Sequence, residues 1–165
     1  MWNQHREKEA LSYSPLENLK QSSMSEIHIL LVEDNEGDIV LTLEALKEAK
    51  LKNRISVVRD GEQALQFLNK EGKFVGVDIP QLILLDINLP KIDGKEVLLR
   101  VKSDSNLKKI PVVILTTSSS EKDILEAYNN HANCYITKPV DLDKFIDVIH
   151  TVEDFWISIV QLPKP

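Results

Sequence analysis

The chain has a single cysteine, Cys134, so an internal disulfide is excluded and a reducing cytoplasm suits it. Cys134 itself reads as a small core hydrophobe. No apolar run approaches the roughly 18–20 residues of a membrane span. The opening W-N-Q-H-R-E-K-E lacks the apolar segment of a secretory signal. Positive charge is also in short supply. The formal net charge is −6, which argues against a nucleic-acid partner and its clustered basic face. What is present is ordinary for a folded protein: 165 residues, 42% hydrophobic and 28% charged, enough for one domain with its own core.

Residues 1–25 are polar and non-periodic, with Pro15 in the middle, and read as a disordered tail. Met24 lies just before the first strand signal and is a candidate alternative start. The folded domain is expected over 26–160, followed by a short tail, 161–165. Apolar runs at 27–32, 55–58, 82–86, 111–115 and 134–137 read as strands. Between them lie stretches with helical spacing, such as Ile39, Val40, Leu43, Leu46 and Ala49. Residues 70–81, with Gly72, Gly76 and Pro80, read as a loop. Residues 141–160 read as one long closing helix. Strands that are apolar throughout are buried on both faces, so the alternation predicts an α/β domain with a doubly wound parallel sheet.

In such a sheet the functional crevice lies beyond the carboxyl ends of the strands. Those ends carry Glu33 and Asp34, then Asp86, then Thr116, then Thr137 and Lys138. Each acid alone fits an ordinary turn or helix cap. Together they make a different case. Three carboxylates at adjacent strand ends repel unless a cation relieves them. All the donors are oxygens, which suits Mg²⁺. A carboxylate beside Mg²⁺ and a lysine can accept a phosphoryl group as an aspartyl phosphate.

Four segments carry a family pattern: L-L-V-E-D-N (30–35), L-L-D-I-N-L-P-K-I-D-G (84–94), I-L-T-T-S (114–118) and Y-I-T-K-P (135–139). The chain resembles the receiver domain of two-component response regulators over about 26–157. The resemblance implies a flavodoxin-like sheet of five strands in the order 2-1-3-4-5. It implies Asp86 as phosphoacceptor, with Asp34 on Mg²⁺ directly, Glu33 through water, and Asn88 through its backbone carbonyl. It makes Thr116 the switch hydroxyl, Lys138 the phosphoryl contact and Tyr135 the aromatic switch. Tyr135 also fits a half-exposed strand aromatic. The resemblance further implies a cis Lys138–Pro139 bond, the alternative being a trans proline ahead of a helix.

The phosphodonor would be a sensor histidine kinase. No effector module is expected after the domain, so the signal would pass by docking or by phosphorelay. Thr117 replaces a smaller residue, and with Asn88 and Ser118 it predicts slow self-dephosphorylation. The closing helix carries a stripe of Phe145, Val148, Ile149, Val152, Phe155, Trp156, Ile159 and Val160, with Ile157 on a further side. That stripe predicts a homodimer through the last helix and fifth strand, unless the tail L-P-K-P covers Trp156. The F-W ending, the Y-I-T-K-P variant and the 70–81 loop are similar to regulators paired with bacterial phytochrome kinases. A Mg²⁺-dependent phosphatase is the competing reading. Many such enzymes place an acid two residues after the nucleophile, and Asn88 cannot serve as one.

Overall fold

The computed structural model describes residues 26–47 and 52–163. The expected tail over 1–25 and the candidate start at Met24 lie outside the described residues. Five strands form one parallel sheet in the order β2-β1-β3-β4-β5. They are β1 (Ile27–Val32), β2 (Asn53–Val58), β3 (Leu82–Leu85), β4 (Val112–Thr116) and β5 (Cys134–Thr137). The helices are α1 (Glu36–Lys47), α2 (Gly61–Leu68), α3 (Gly94–Ser103), α4 (Glu121–Asn129) and α5 (Leu142–Glu153). The predicted fold class and strand order are both observed.

Strand periodicity divides the core. In β1, Leu30 and Val32 face the layer of α2, α3 and α4, where they meet Leu68, Val97 and Leu98. Ile29 and Leu31 face the opposite layer of α1 and α5, among Ile39, Leu46, Phe145 and Ile149. Every residue of β3 and β4 is buried, as a strand covered on both faces requires. Acidic or hydroxyl caps start the helices. Asp60, Asp93, Ser120 and Asp141 each accept a hydrogen bond from a first-turn amide. The 70–81 loop is ordered by a single 3-10 turn, Gly72–Phe74, whose Phe74 ring packs edge-on against Phe67 at 5.2 Å between centroids.

The closing helix differs from expectation. α-Helical bonding stops at Glu153, and a π-helical stretch, Asp154–Ile159, carries the chain onward. It closes with Val160 N donating to Phe155 O at 3.0 Å. The wider turn shifts the phase of the apolar stripe. Ile157 follows Val152 into the core and is 6% exposed, while Phe155 and Ile159 are turned outward at 49% and 71%. Trp156 is half-buried, and Leu162 of the tail returns to pack on the same cluster.

Candidate functional site

The parallel register brings the ends of β1, β3, β4 and β5 to one edge of the sheet. Val32 pairs with Leu85, Leu85 with Ile114, and Thr116 with Thr137. The residues that follow therefore converge, although they span more than a hundred positions of sequence. Asp86 continues the ladder by donating its amide to Val32 O at 3.0 Å.

Asp86 sits beyond its strand yet is only 6% exposed. Its cover is the site itself. The Lys138 ammonium lies 3.1 Å from Asp86 Oδ2, in hydrogen-bond contact with a Glu33 carboxylate oxygen, and 2.9 Å from Asp38 Oδ2. Asn88 donates its amide to Asp86 Oδ1 at 3.0 Å. Asn35 donates to Glu33 Oε1 at 2.9 Å. Burial works against the charge on Lys138. The hydrogen bonds of Glu33 and Asp38 and the nearby charges of Asp86 and Glu33 outweigh it, so the ammonium holds its proton more tightly than an ordinary lysine.

Glu33, Asp34 and Asp86 each offer a carboxylate oxygen, and these lie within 4.8 Å of one another. Asp34 is exposed, whereas Glu33 and Asp86 are buried. The donors are hard oxygens with no imidazole or thiolate among them. They fit a small divalent cation such as Mg²⁺ or Mn²⁺, bound by a few carboxylates and retained waters.

Thr116 is fully buried at the end of β4, and Asn88 Nδ2 reaches its Oγ1 at 3.4 Å. The Tyr135 hydroxyl donates to Ser118 O at 2.9 Å, which ties β5 to the β4–α4 loop. Burial raises the Tyr135 phenol further, so it stays protonated as a donor. Ser118 Oγ donates in turn to Asp123, whose carboxylate is 2.6 Å from Lys95 Nζ on α3. Thr117 is exposed beside this chain of contacts. The loop that follows Thr116 is thus linked to both α3 and β5.

One expected feature is absent. All peptide bonds among the described residues are trans, including Lys138–Pro139. Trans is the intrinsically preferred isomer of an X-Pro bond by about 0.5–1 kcal/mol. The trans chain already delivers the lysine, since Lys138 N donates to Thr116 O at 2.7 Å and Nζ reaches the carboxylates.

Asp38 escaped the sequence reading, and Gly61 and Gly94 carry a packing role that it did not assign them. Asp38 lies outside the four motifs. It lies in the first turn of α1, and its partner Lys138 is 100 residues away in sequence. Gly94 is needed because a β-carbon there would lie 2.0 Å from Asp86 O, and Gly61 because its β-carbon would lie 1.9 Å from Ile92 O. These close approaches fold the 87–93 loop against α2 and α3. Lys91 adds a tether, 3.0 Å from the buried Asp60 carboxylate.

Comparison with known proteins agrees with this architecture. The response regulator receiver domain family matches residues 29–150. Response regulator Rcp1 of Synechocystis is 44% identical over 135 residues, covering 82% of this chain and 92% of Rcp1. Its Mn²⁺-bound crystal structure superposes with a TM-score of 0.82 at 43% identity, covering 84% of this chain and 99% of that one. The phosphorylated cyanobacterial phytochrome response regulator RcpA superposes with a TM-score of 0.83 at 46% identity, covering 85% of this chain and all of that one. A probable methanogenesis regulatory protein, FilR2 of Methanothrix harundinacea, is 40% identical over 138 residues, covering 83% of this chain and 88% of FilR2. With this fold, this acidic edge and these relatives, the chain belongs to the response regulator receiver domain family of two-component signalling.

Proposed function

We propose that this receiver is a phosphorylation switch whose acceptor is Asp86 and whose donor is the phosphohistidine of a sensor kinase. The observation that carries this reading is the contact of Lys138 Nζ with Asp86 Oδ2 at 3.1 Å, beside the Glu33–Asp34–Asp86 cluster. An Asp86 carboxylate oxygen forms the new P–O bond as the P–N bond of the donor breaks. The imidazole nitrogen leaves with its electron pair and takes a proton from solvent. Lys138 meets the negative charge on the phosphoryl oxygens, and Thr116 supplies a hydroxyl donor. Asp34, Asp86, the Asn88 carbonyl and, through water, Glu33 would hold Mg²⁺, which neutralises charge on the transferring group. Formation of the adduct draws Thr116 towards the phosphoryl group and frees Tyr135 from Ser118. The product is a signalling state rather than a released metabolite.

The partner reading follows the relatives. RcpA is a phytochrome response regulator, and 46% identity supports a bacterial phytochrome kinase as the donor here. Exposed Phe155 and Ile159 support a homodimer through the last helix. No helix among the described residues is long and apolar enough to cross a membrane, which is compatible with a cytoplasmic site of action. Incubation with acetyl phosphate and Mg²⁺, read by intact mass, tests the core of this reading. One added phosphoryl group that Asp86→Asn abolishes supports it. An adduct that survives Asp86→Asn, or none from any donor, overturns it.

A further inference from the structure

We propose that Asp38 is a positioning residue that holds the Lys138 ammonium back until a phosphoryl group on Asp86 takes it over. The inference rests on Asp86 being the acceptor.

An ammonium has three N–H donors. Here all three are engaged, by Glu33, Asp38 and Asp86. A phosphoryl oxygen can gain a hydrogen bond from Lys138 only if one of these contacts yields. The three are unequal. The side chains of Glu33 and Asp86 are 3% and 7% exposed, so losing the cation would strand a carboxylate away from water. Asp38 is 29% exposed. Water re-solvates it as it lets go, and the first turn of α1 favours a negative charge there. Asp38 is therefore the contact that yields. Until it does, it shares the ammonium's charge with the acceptor and directs one donor towards α1. Removing it releases that donor for the incoming phosphoryl group.

The sequence contains its own control. Glu36 lies on the same turn and carries the same charge, but it is 68% exposed and pairs with Arg59 rather than Lys138. A general field effect would treat Asp38 and Glu36 alike. A positioning role would not.

The test uses the full chain with acetyl phosphate and Mg²⁺, following adduct mass against time across a range of donor concentrations. Asp38→Ala and Asp38→Asn are compared with Asp38→Glu and Glu36→Gln. The expected result is a rate at saturating donor that rises about threefold to tenfold in Asp38→Ala. Asp38→Glu returns it towards the parent, and Glu36→Gln leaves it within about 1.5-fold. A second readout is proton exchange of the Lys138 ammonium by ¹⁵N NMR without donor, which should be slow in the parent and faster in Asp38→Ala. An unchanged or lower rate in Asp38→Ala, or equal acceleration in Glu36→Gln, overturns the role of Asp38 while leaving Asp86 as acceptor. If the parent gains no phosphoryl group, the acceptor reading fails by itself. Unchanged ammonium exchange in Asp38→Ala then overturns the Asp38 contact independently.

Discussion

Gly94 shows how closely backbone meets backbone around Asp86. Its amide donates to Ile87 O at 2.8 Å, and a β-carbon would fall 2.0 Å from Asp86 O. Neither partner is a flexible side-chain tip. Gly94→Ala should therefore destabilise the domain by about 1–3 kcal/mol, measured by urea unfolding, and should slow adduct formation on Asp86. His28 is sensitive in another way. Its Nε2 meets Ser56 Oγ at 2.9 Å, and its Nδ1 faces the Arg54 guanidinium at 3.2 Å, with Phe67 packed edge-on. Burial first, then Arg54, lowers its pKa below 6.5, against weaker opposite pulls from Asp78 and Glu26. The fold thus favours the neutral ring. That stability is complete above 6.5, the unfolded value, and is lost as pH falls from there through the lower folded value. The urea midpoint should drop between pH about 7.5 and 5.5, and His28→Gln should flatten that drop. Thr117 carries a third expectation. Its exposed, branched side chain beside the site should slow loss of the phosphoryl group. Thr117→Ala should then shorten the adduct lifetime several-fold, read by mass after donor removal. An unchanged lifetime would remove Thr117 from the account.

Strands and helices were legible wherever one period dominated. The apolar run of β3 and that of Val112–Leu115 in β4 could only be buried on both faces, and that placed Asp86 and Thr116 at a common edge. The end of the closing helix was not legible, because residues 155–160 are apolar almost all round and offer no phase to read. The π-helical stretch supplies that phase, and it reverses two isoleucines: Ile157, expected off the stripe, is buried, whereas Ile159, expected on it, faces outward. Ile157→Ala should destabilise by about 2–4 kcal/mol, whereas Ile159→Ala should change the same urea transition by less than about 0.5 kcal/mol. Asp38 was missed for the opposite reason. Its partner lies 100 residues away, and no local pattern reports a contact of that span. Lys138–Pro139 was misread because a proline fixes its own φ but leaves the isomer of the preceding bond to its surroundings.

Across the whole molecule, exposed apolar side chains occur on both helical layers, Leu99 and Leu125 on one and Phe155 and Ile159 on the other. The layer of α1 and α5 ends in the π-helical stretch, where Phe155 and Ile159 face outward beside half-buried Trp156. Phe155 and Trp156 pack edge to face at 5.4 Å, which fixes a rigid aromatic ledge. If this ledge is the dimer contact, the parent sediments as a dimer at micromolar concentration and Ile159→Glu sediments as a monomer with unchanged circular dichroism. A parent that sediments as a monomer with and without a phosphoryl mimic would remove the homodimer from the proposed function.

The parallel sheet has one more consequence, for the newly made chain. Its site draws on residues 33, 86, 116 and 138, each delivered by a different strand. Parallel pairings of this separation form late, because long loops must close first. Lys138 follows β5, which is made after the other four described strands. A nascent or half-folded chain therefore has its acidic residues but not the cation that joins them. If Asp86 is the acceptor proposed above, the site is complete only once β5 has paired, so its chemistry doubles as a check on the integrity of the fold.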